Sequence, residues 1–236
     1  MISFIIPAHN EERFIGSTLS ALHAAAGELD AHYEIIVVDD TSTDATATLA
    51  ERHGAHVVPV CLRQISAVRN AGARQAHGDL LVFVDADTLV PGAVLAAAVR
   101  AVHNSAVGGG ARARFDGRVP MYARALAWSW RWFQRFTRIA SGCFIFCTAQ
   151  AFSAAGGFDE SLYAAEDVVF SRRLHQLGRF EIVPEMVVTS GRTVRSHTGI
   201  EALKIVAAFL LRGPGIFRTR HGPWYGARGD DVDPRA

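Results

Sequence analysis

Two aspartates one residue apart, Asp85 and Asp87, directly follow the apolar run Leu80–Val84. A short run that is apolar throughout is typical of a strand buried on both faces of a parallel sheet, and open α/β sheets bind ligands at the carboxyl ends of such strands. Carboxylates placed there offer hard oxygen ligands to a divalent cation that also binds phosphate groups. The pair therefore favours a metal-assisted nucleotide site, although one helix-capping and one solvated aspartate would give the same pattern.

Two further acidic features occur at comparable places along the chain. Asp39 and Asp40 end the apolar run that starts at Tyr33, and Glu166 and Asp167 open a late segment with helical spacing. Unrelated caps would rarely place three acidic features at the ends of consecutive elements in this order. Ordinary turn residues and first-turn acids that complement the helix dipole are the alternative interpretation of these positions.

Strands and helices alternate through the first hundred residues, and this order would bring the acids together. Each apolar run is followed by turn residues and then by a segment with helical spacing. The alternation predicts an α/β fold with a doubly wound, mostly parallel sheet. The predicted strands are Ile2–Ile6, Tyr33–Val38, Ala55–Val60 and Leu80–Val84, and the predicted helices are 10–26 with Asn10 as its N-cap, 41–53, Ile65–Ala76 and Ala93–His103.

The pattern changes after the glycine run Gly108–Gly110, where regular alternation gives way to shorter strands. We predict a long aromatic helix over Met121–Ile139, a helix over Ala165–Leu177, and a strand over Glu181–Val188 that Pro184 interrupts. Such a change usually marks a second half of the same domain, in which the partner substrate is held.

Length and composition favour one domain, because 236 residues, half of them hydrophobic, suffice for a single α/β core. We predict a domain over residues 1–211, divided into a nucleotide-binding half (1–105) and an acceptor-side half (106–211). The remaining residues, 212–236, are rich in Gly, Pro, Arg and Asp and are predicted to form a flexible or loosely packed tail.

Charge and cysteine content narrow the class of protein. The formal net charge of +1 provides no general attraction for nucleic acid, so we expect no nucleic-acid partner. Cys61, Cys143 and Cys147 have the spacing of neither a zinc ribbon nor a redox pair, which favours a reducing compartment. A basic leader and an apolar stretch long enough to span a bilayer are both missing, so the expected localisation is cytoplasmic.

Taken in order, short motifs of the chain resemble the inverting family 2 glycosyltransferases of the GT-A fold. Each motif alone is weak, but the ordered set is specific and reaches from residue 2 to about residue 195. The resemblance implies a single GT-A domain with a Rossmann-like central sheet flanked by helices and a mixed acceptor-side half. The matching pieces are Ile6–Glu12, Val37–Asp44, Arg69–Gly72, Gly78–Asp79, the Asp-x-Asp motif Asp85–Asp87, Gly156–Asp159 and Glu166–Leu174.

The resemblance implies that the enzyme binds a nucleotide-sugar donor, with UDP as the expected nucleotide. Pro7, Ala8 and Glu11 would line the nucleoside pocket, and Asp39 would accept a hydrogen bond from the uracil ring. Arg69 would be an arginine of the nucleotide side, with a solvated helix arginine as the alternative interpretation.

The same resemblance implies a metal-bridged diphosphate. Asp85 would bind the ribose, and Asp87 would ligate Mg²⁺ or Mn²⁺ that bridges the diphosphate of the leaving nucleotide. Arg192 and Arg195 lie where such enzymes close a loop over the diphosphate. His197 would be a further metal ligand or, alternatively, a structural or surface histidine.

On the acceptor side, the resemblance identifies Asp167 as the catalytic base. In an inverting transfer the acceptor hydroxyl attacks the anomeric carbon directly, so a single carboxylate takes the proton of that hydroxyl. Glu166 is expected to bind the acceptor or to be a structural acid, because adjacent residues of a helix do not face each other.

The composition of the Met121–Ile139 segment suggests a membrane-facing surface. Seven arginines and one acid, Asp116, occur between Arg112 and Arg138, and tryptophans and phenylalanines lie among them. Such a helix is typical of an interface with anionic lipid, so we expect peripheral contact with the inner face of the cell membrane and a lipid-linked or cell-envelope glycan acceptor. A packed helix with core tryptophans and solvated arginines is the alternative.

Two other function classes use similar residues. A nucleotidyltransferase of similar α/β build would also use paired aspartates, but it normally needs a glycine-rich phosphate loop after the first strand, where Pro7–Asn10 stands. A non-catalytic nucleotide-sugar-binding protein derived from a transferase is the other alternative, since turnover cannot be read from a sequence.

Overall fold

The computed structural model describes residues 1–117, 137 and 139–192, and these residues form one eight-stranded mixed sheet with helices on both faces. The strands are β1 (Ile2–Ala8), β2 (Tyr33–Asp40), β3 (His56–Val60), β4 (Leu80–Val84), β5 (Thr88–Leu89), β6 (Ala106–Phe115), β7 (Phe144–Thr148) and β8 (Arg179–Thr189). The helices are α1 (Ile15–Gly27), α2 (Thr46–Arg52), α3 (Ile65–Gln75), α4 (Gly92–His103), α5 (Ala149–Ala155) and α6 (Glu166–Leu177). The strand order across the sheet is β3-β2-β1-β4-β7-β6-β8-β5.

The predicted parallel half of the sheet is confirmed. Strands β3, β2, β1 and β4 are adjacent and parallel, and every residue of β1 and of β4 is buried, as expected for strands covered on both faces. Helix α3 packs very close to this sheet at Gly72. A Cβ atom at Gly72 would lie 2.5 Å from Ile5 Cγ2 and 2.8 Å from Val38 Cγ2, so only glycine allows this approach.

The glycine run Gly108–Gly110, after which shorter strands are predicted, lies inside the ten-residue strand β6. Strand β6 pairs antiparallel with β7 and parallel with β8, and its three glycines leave no room for a Cβ atom. A Cβ atom at Gly109 would lie 2.5 Å from the Phe146 ring and would overlap the Glu181 carbonyl oxygen. The glycines are therefore required by close packing.

The predicted interruption at Pro184 is a local irregularity within a continuous strand. Strand β8 runs from Arg179 to Thr189, and its register with β6 shifts between the pairs Ala111–Val183 and Arg112–Met186. The shift accommodates Pro184, which cannot donate a ladder hydrogen bond. Beyond this shift β8 also pairs with the two-residue strand β5, which directly follows Asp87.

Two apolar clusters, one on each face, hold the helices against the sheet. One cluster joins α1 and α4 to one face, and the other joins α3, α5 and α6 to the opposite face. The second cluster contains a stack of phenylalanines in which the rings of Phe158 and Phe170 are 4.2 Å apart and those of Phe83 and Phe158 are 5.0 Å apart. This stack ties the start of α6 to the core beneath the end of β4.

Several predicted features lie outside the described residues. They are the aromatic helix over Met121–Ile139 apart from residues 137 and 139, the residues Arg195 and His197, and the tail over 212–236. The domain boundaries at 105 and 211 stay predictions. Among the residues that the structure describes, no helix combines the length and the apolar character that a membrane crossing requires.

Candidate active site

The loop between β1 and α1 is locked against the loop between β2 and α2. The prediction that Asn10 is the N-cap of α1 is wrong. Asn10 has a positive φ of 54°, and its Oδ1 atom accepts a hydrogen bond from Thr43 N at 2.8 Å. The backbone N–H of Glu11 donates to Thr46 Oγ1 at 2.7 Å. Helix α1 therefore begins at Ile15, and Glu11 is held by the interlocked loops.

The adjacent acids Asp39 and Asp40 have different roles at the end of β2. Asp40 Oδ1 accepts the backbone N–H of Leu62 at 2.8 Å, so Asp40 fixes the loop that follows β3. Asp39 pairs with Ala8 across the strand ends and is 8% exposed, and its buried Oδ1 atom has no hydrogen-bond partner within the described part of the chain. Leaving a buried carboxylate oxygen without a partner is costly, so this atom is suited to a ligand donor.

The Asp85-Ala86-Asp87 turn is fixed by backbone hydrogen bonds from three segments. Asp85 N donates to Cys143 O at 3.2 Å, and Ser190 N donates to Asp87 O at 3.2 Å. The buried hydroxyl of Thr18 in α1 donates to Ala86 O at 2.8 Å. These hydrogen bonds fix the backbone of the turn, from which Asp85 reaches Arg69 and Asp87 reaches Arg192.

Arg69 of α3 connects Asp85 to the start of α6. Its Nη2 atom donates to Asp85 Oδ1 at 2.8 Å and to Gly142 O at 2.9 Å, and its Nη1 atom donates to Glu166 Oε1 at 2.7 Å. Arg69 is only 2% exposed, and its Cζ atom lies 5.3 Å from the centre of the Phe158 ring. Burial acts to lower the pKa of the Arg69 guanidinium, but the charges of Asp85 and Glu166 outweigh it and raise the pKa above its ordinary value.

Asp167 lies beside this network at the first turn of α6. Burial and the neighbouring charge of Glu166 raise the pKa of the Asp167 carboxyl, while the Arg69 charge and the N–H groups of Val168 and Gly142 act in the opposite direction. A Cβ atom at Gly142 would lie 3.2 Å from Asp167 Oδ2 and 3.5 Å from Arg69 Nη2. The absence of a side chain at Gly142 therefore leaves room for both groups.

Arg192, which follows β8, binds the acids at the other end of the site. Its guanidinium hydrogen-bonds Glu11 Oε1, its Nη2 atom lies 3.2 Å from Asp87 Oδ2, and its Cζ atom lies 5.1 Å from the centre of the Phe14 ring. Burial, with smaller contributions from Asp85 and Glu11, raises the pKa of Asp87 to about 7 although Arg192 acts to lower it. Asp87 is thus an acid whose charge needs a nearby cation.

The donor set at Asp87 fits a magnesium or manganese ion that is shared with a ligand. Within the described ranges, no three His, Cys, Asp or Glu side chains form a ready-made metal cage. Mg²⁺, however, is usually bound through one or two carboxylates, waters and substrate phosphates, so a complete protein cage is not needed. The guanidinium that Asp87 and Glu11 hold shows that this position attracts positive charge.

Most of the predicted site residues that the structure describes converge at one end of the sheet. Three residues that support them were not predicted from the sequence. Gly142 and Thr18 were missed because a single glycine and a helix threonine carry no signal of their own, and Phe14 was missed because its contact is with a distant residue. Arg195 and His197 lie outside the described residues. The predicted residues that the network connects directly are Glu11, Arg69, Asp85, Asp87, Glu166, Asp167 and Arg192, while Pro7, Ala8 and Asp39 lie at the neighbouring ends of β1 and β2.

Comparison with known proteins identifies related chains. The family model described as Glycosyl transferase family 2 matches residues 3–162. The undecaprenyl-phosphate 4-deoxy-4-formamido-L-arabinose transferase of Sodalis glossinidius is 40% identical over 98 residues, which are 38% of this chain and 30% of that relative. The match therefore spans less than a third of the relative's length.

Solved structures share the fold at low sequence identity. Staphylococcus aureus TarS 1–349 in complex with UDP-GlcNAc has a TM-score of 0.66 and 21% identity, over 89% of this chain and 66% of that one. The mannosyltransferase PcManGT from Pyrobaculum calidifontis, in complex with GDP-Man and Mn²⁺, has a TM-score of 0.65 and 22% identity, over 94% of this chain and 64% of that one. These likenesses confirm the GT-A fold that the motifs implied.

Proposed function

The chain belongs to glycosyl transferase family 2, and we propose that it is a metal-dependent inverting glycosyltransferase that uses a UDP-sugar donor. The observation that carries the proposal is a pair of ion-pair clusters at this end of the sheet. Arg192 joins Glu11 to Asp87, and Arg69 joins Asp85 to Glu166, with Asp167 as a fifth carboxyl group beside Arg69. Carboxylates outnumber guanidiniums there, so an anionic diphosphate needs an added cation in order to bind. A divalent metal ion meets that need.

The nucleoside would bind at the ends of β1 and β2. The unpartnered Oδ1 atom of Asp39 supports a hydrogen bond from a ring N–H of the base, and the backbone of Pro7 and Ala8 would line the pocket beside it. Asp85 is anchored through one oxygen to Arg69, yet its side chain is 35% exposed and so remains accessible to a ribose hydroxyl. Guanine also presents ring N–H donors, so GDP-sugars belong in any donor screen.

We propose that Asp87 holds Mg²⁺ or Mn²⁺, which when bound neutralises negative charge on the departing diphosphate. Glu11, proposed to line the nucleoside pocket from the loop after β1, would support the same position through its ion pair with Arg192. Arg192, whose side chain is 42% exposed, would pass from the carboxylates to the diphosphate when donor is present. Arg195 and His197 follow Arg192 closely in the sequence and are proposed as a further diphosphate contact and a further metal ligand.

Asp167 is proposed as the base that takes the proton of the acceptor hydroxyl. A base is most effective when its pKa lies near the working pH, and burial raises the pKa of Asp167 in that direction. Direct attack by the acceptor inverts the anomeric centre and needs no second nucleophilic carboxylate. Glu166 is already bound to Arg69, which supports a role in holding the acceptor side in place.

The acceptor is proposed to be lipid-linked or part of the cell envelope, at the inner face of the cell membrane. The name of the Sodalis relative pairs its sugar with undecaprenyl phosphate, and the arginine-rich and tryptophan-rich segment over Met121–Ile139 suits contact with anionic lipid. A lipid phosphate is therefore a second candidate acceptor besides a hydroxyl. An ionised phosphate needs no base, so the two acceptors differ in their dependence on Asp167.

The proposal is tested with a panel of UDP-sugars and GDP-sugars in the presence and absence of Mn²⁺. We expect metal-dependent transfer from one donor and a product of inverted anomeric configuration by NMR. A product with retained configuration would exclude the inverting mechanism. Tight metal-dependent binding of donor without transfer to hydroxyl or phosphate acceptors would favour the non-catalytic binding protein instead.

A further inference from the structure

We propose that Arg69 is a positioning residue that links the donor side of the site to the acceptor side and holds Asp167 in its working geometry. This inference rests on the proposed function, because it assigns Asp85 to the donor and Asp167 to the acceptor. It differs from the role implied by resemblance, in which Arg69 would contact the nucleotide.

The first support is that Arg69 binds protein groups on both sides of its guanidinium. Nη1 donates to Glu166 and Nη2 donates to Asp85 and to Gly142 O, at distances between 2.7 and 2.9 Å. The side chain is 3% exposed, which leaves almost no surface for a substrate. A planar guanidinium presents its donors in a fixed fork, so it sets the separation of the two carboxylates that it joins.

The second support is that the partners of Arg69 come from segments far apart in the sequence. Asp85 follows β4, Gly142 precedes β7, and Glu166 opens α6, and Arg69 is 16, 73 and 97 residues away from them in turn. The next residue, Asn70, strengthens the link because it binds both backbone groups of Phe158, at 2.9 Å each. Helix α3 thus holds the whole segment that leads into α6.

The third support is electrostatic and concerns Asp167. Among the described residues, the charged and titratable groups that act on Asp167 are Glu166 on its own helix, Arg69 from α3 and the buried thiol of Cys143, and Asp85 shares Arg69 with it. Arg69 is the cation of this group and stabilises the ionised form of Asp167, whereas Glu166 disfavours it. Removing the Arg69 charge should therefore raise the pKa of Asp167, and removing the Glu166 charge should lower it.

The test compares Arg69→Met, Arg69→Lys and Glu166→Gln with Arg74→Met, a control that removes an exposed arginine from the same helix. Three properties are measured in each variant: the affinity for UDP with Mn²⁺ by calorimetry, the pH dependence of kcat and KM for transfer, and the pH titration of the Asp167 carboxyl by carbon-13 NMR. The NMR signal is assigned by its loss in Asp167→Asn. Thermal unfolding reports whether each variant is folded.

For a positioning residue, we expect Arg69→Met to lower kcat by at least about tenfold with UDP affinity changed by less than about threefold. The same variant should raise the titration midpoint of the Asp167 carboxyl by about one pH unit. Arg69→Lys should restore the titration, because it keeps the charge, but should restore kcat only in part, because an ammonium cannot bridge both carboxylates. Glu166→Gln should move the Asp167 titration to lower pH, and Arg74→Met should change nothing.

Other outcomes would overturn the proposal. Loss of UDP affinity by the same factor as kcat/KM would make Arg69 a nucleotide contact. A lower unfolding temperature with an unchanged titration and unchanged turnover per folded molecule would make it purely structural. If Arg69→Met does not fold, Arg69→Lys and Glu166→Gln still decide, since an unshifted titration in Glu166→Gln contradicts the electrostatic link. The NMR titration needs no turnover, so it separates failure of this inference from failure of the glycosyltransferase assignment.

Discussion

The Nη2 atom of Arg192 lies 3.2 Å from the Oδ2 atom of Asp87, so a guanidinium from the end of β8 neutralises the carboxylate that we propose binds the metal. The same guanidinium hydrogen-bonds Glu11 and lies over the Phe14 ring. A divalent cation at Asp87 would therefore compete with Arg192. Once released, Arg192 would carry its charge to the diphosphate of the donor.

We expect Arg192→Gln to strengthen the binding of Mn²⁺ in the absence of nucleotide and to weaken the binding of UDP in its presence. A partly exposed ion pair is worth about 0.5 to 1 kcal/mol, so the gain in metal affinity should be about two- to fivefold. Calorimetry measures both affinities, and the control is Arg179→Gln, which removes an exposed arginine of β8 that pairs with Glu181. Weaker metal binding without nucleotide would contradict the competition.

Binding of Mn²⁺ and UDP should weaken as the pH falls below about 7. The pKa of Asp87 is about 7, so below that pH a proton increasingly occupies the carboxylate that the metal needs. Affinity should fall by up to about tenfold for each pH unit once the group is mostly protonated. Asp87→Asn should bind metal and UDP weakly at every pH, and an unchanged pH dependence in that variant would remove Asp87 from the metal site.

Replacing Asp167 by Asn should impair the chemical step without impairing donor binding. For a hydroxyl acceptor we expect kcat to fall by about 10² to 10⁴, the usual contribution of a positioned proton acceptor. Affinity for UDP-sugar and metal should stay close to that of the wild type. A wild-type kcat with a hydroxyl acceptor would defeat the assignment, whereas a nearly normal kcat with a lipid phosphate alone would identify the phosphate as the acceptor group.

A methyl group at Gly142 should disturb Asp167 and Arg69 together. The added Cβ atom would lie 3.2 Å from Asp167 Oδ2 and 3.5 Å from Arg69 Nη2, so the carboxylate must move by a few tenths of an ångström. Such a displacement of a reacting group can cost about tenfold or more in turnover. The control is Gly27→Ala, because a Cβ atom at Gly27 has no neighbour within 4 Å among the atoms described. Equal kcat values for Gly142→Ala and Gly27→Ala would argue against the packing role of Gly142.

The Met121–Ile139 segment should bind anionic vesicles. Replacing Arg124, Arg131 and Arg135 with glutamine should reduce co-sedimentation, as should added salt, because exposed charges are screened beyond about 8 to 10 Å at moderate ionic strength. Equal sedimentation of the wild type with neutral and anionic vesicles would show that its arginines are not the cause of binding.

The sequence by itself determined the parallel half of the sheet and most of the acids at its edge. Continuous apolar runs that alternate with helical segments predict a parallel sheet, and the carboxyl ends of parallel strands share an edge of that sheet. Asp39, Asp85 and Asp87 could therefore be placed at one site before any distances were known. The motifs added the expected roles of Asp167 and Glu166.

Only the tertiary structure decided which charges neutralise each other and how the second half is built. Arg192 contacts Glu11 across 181 residues, and Arg69 contacts Glu166 across 97, because β8 and α6 return to the same end of the sheet. No local pattern encodes such a pairing, since it depends on the strand order of the whole sheet. Distant segments must also meet before burial can raise the pKa of Asp87, and before close packing can require glycine at Gly109 and leave little room beside Gly142.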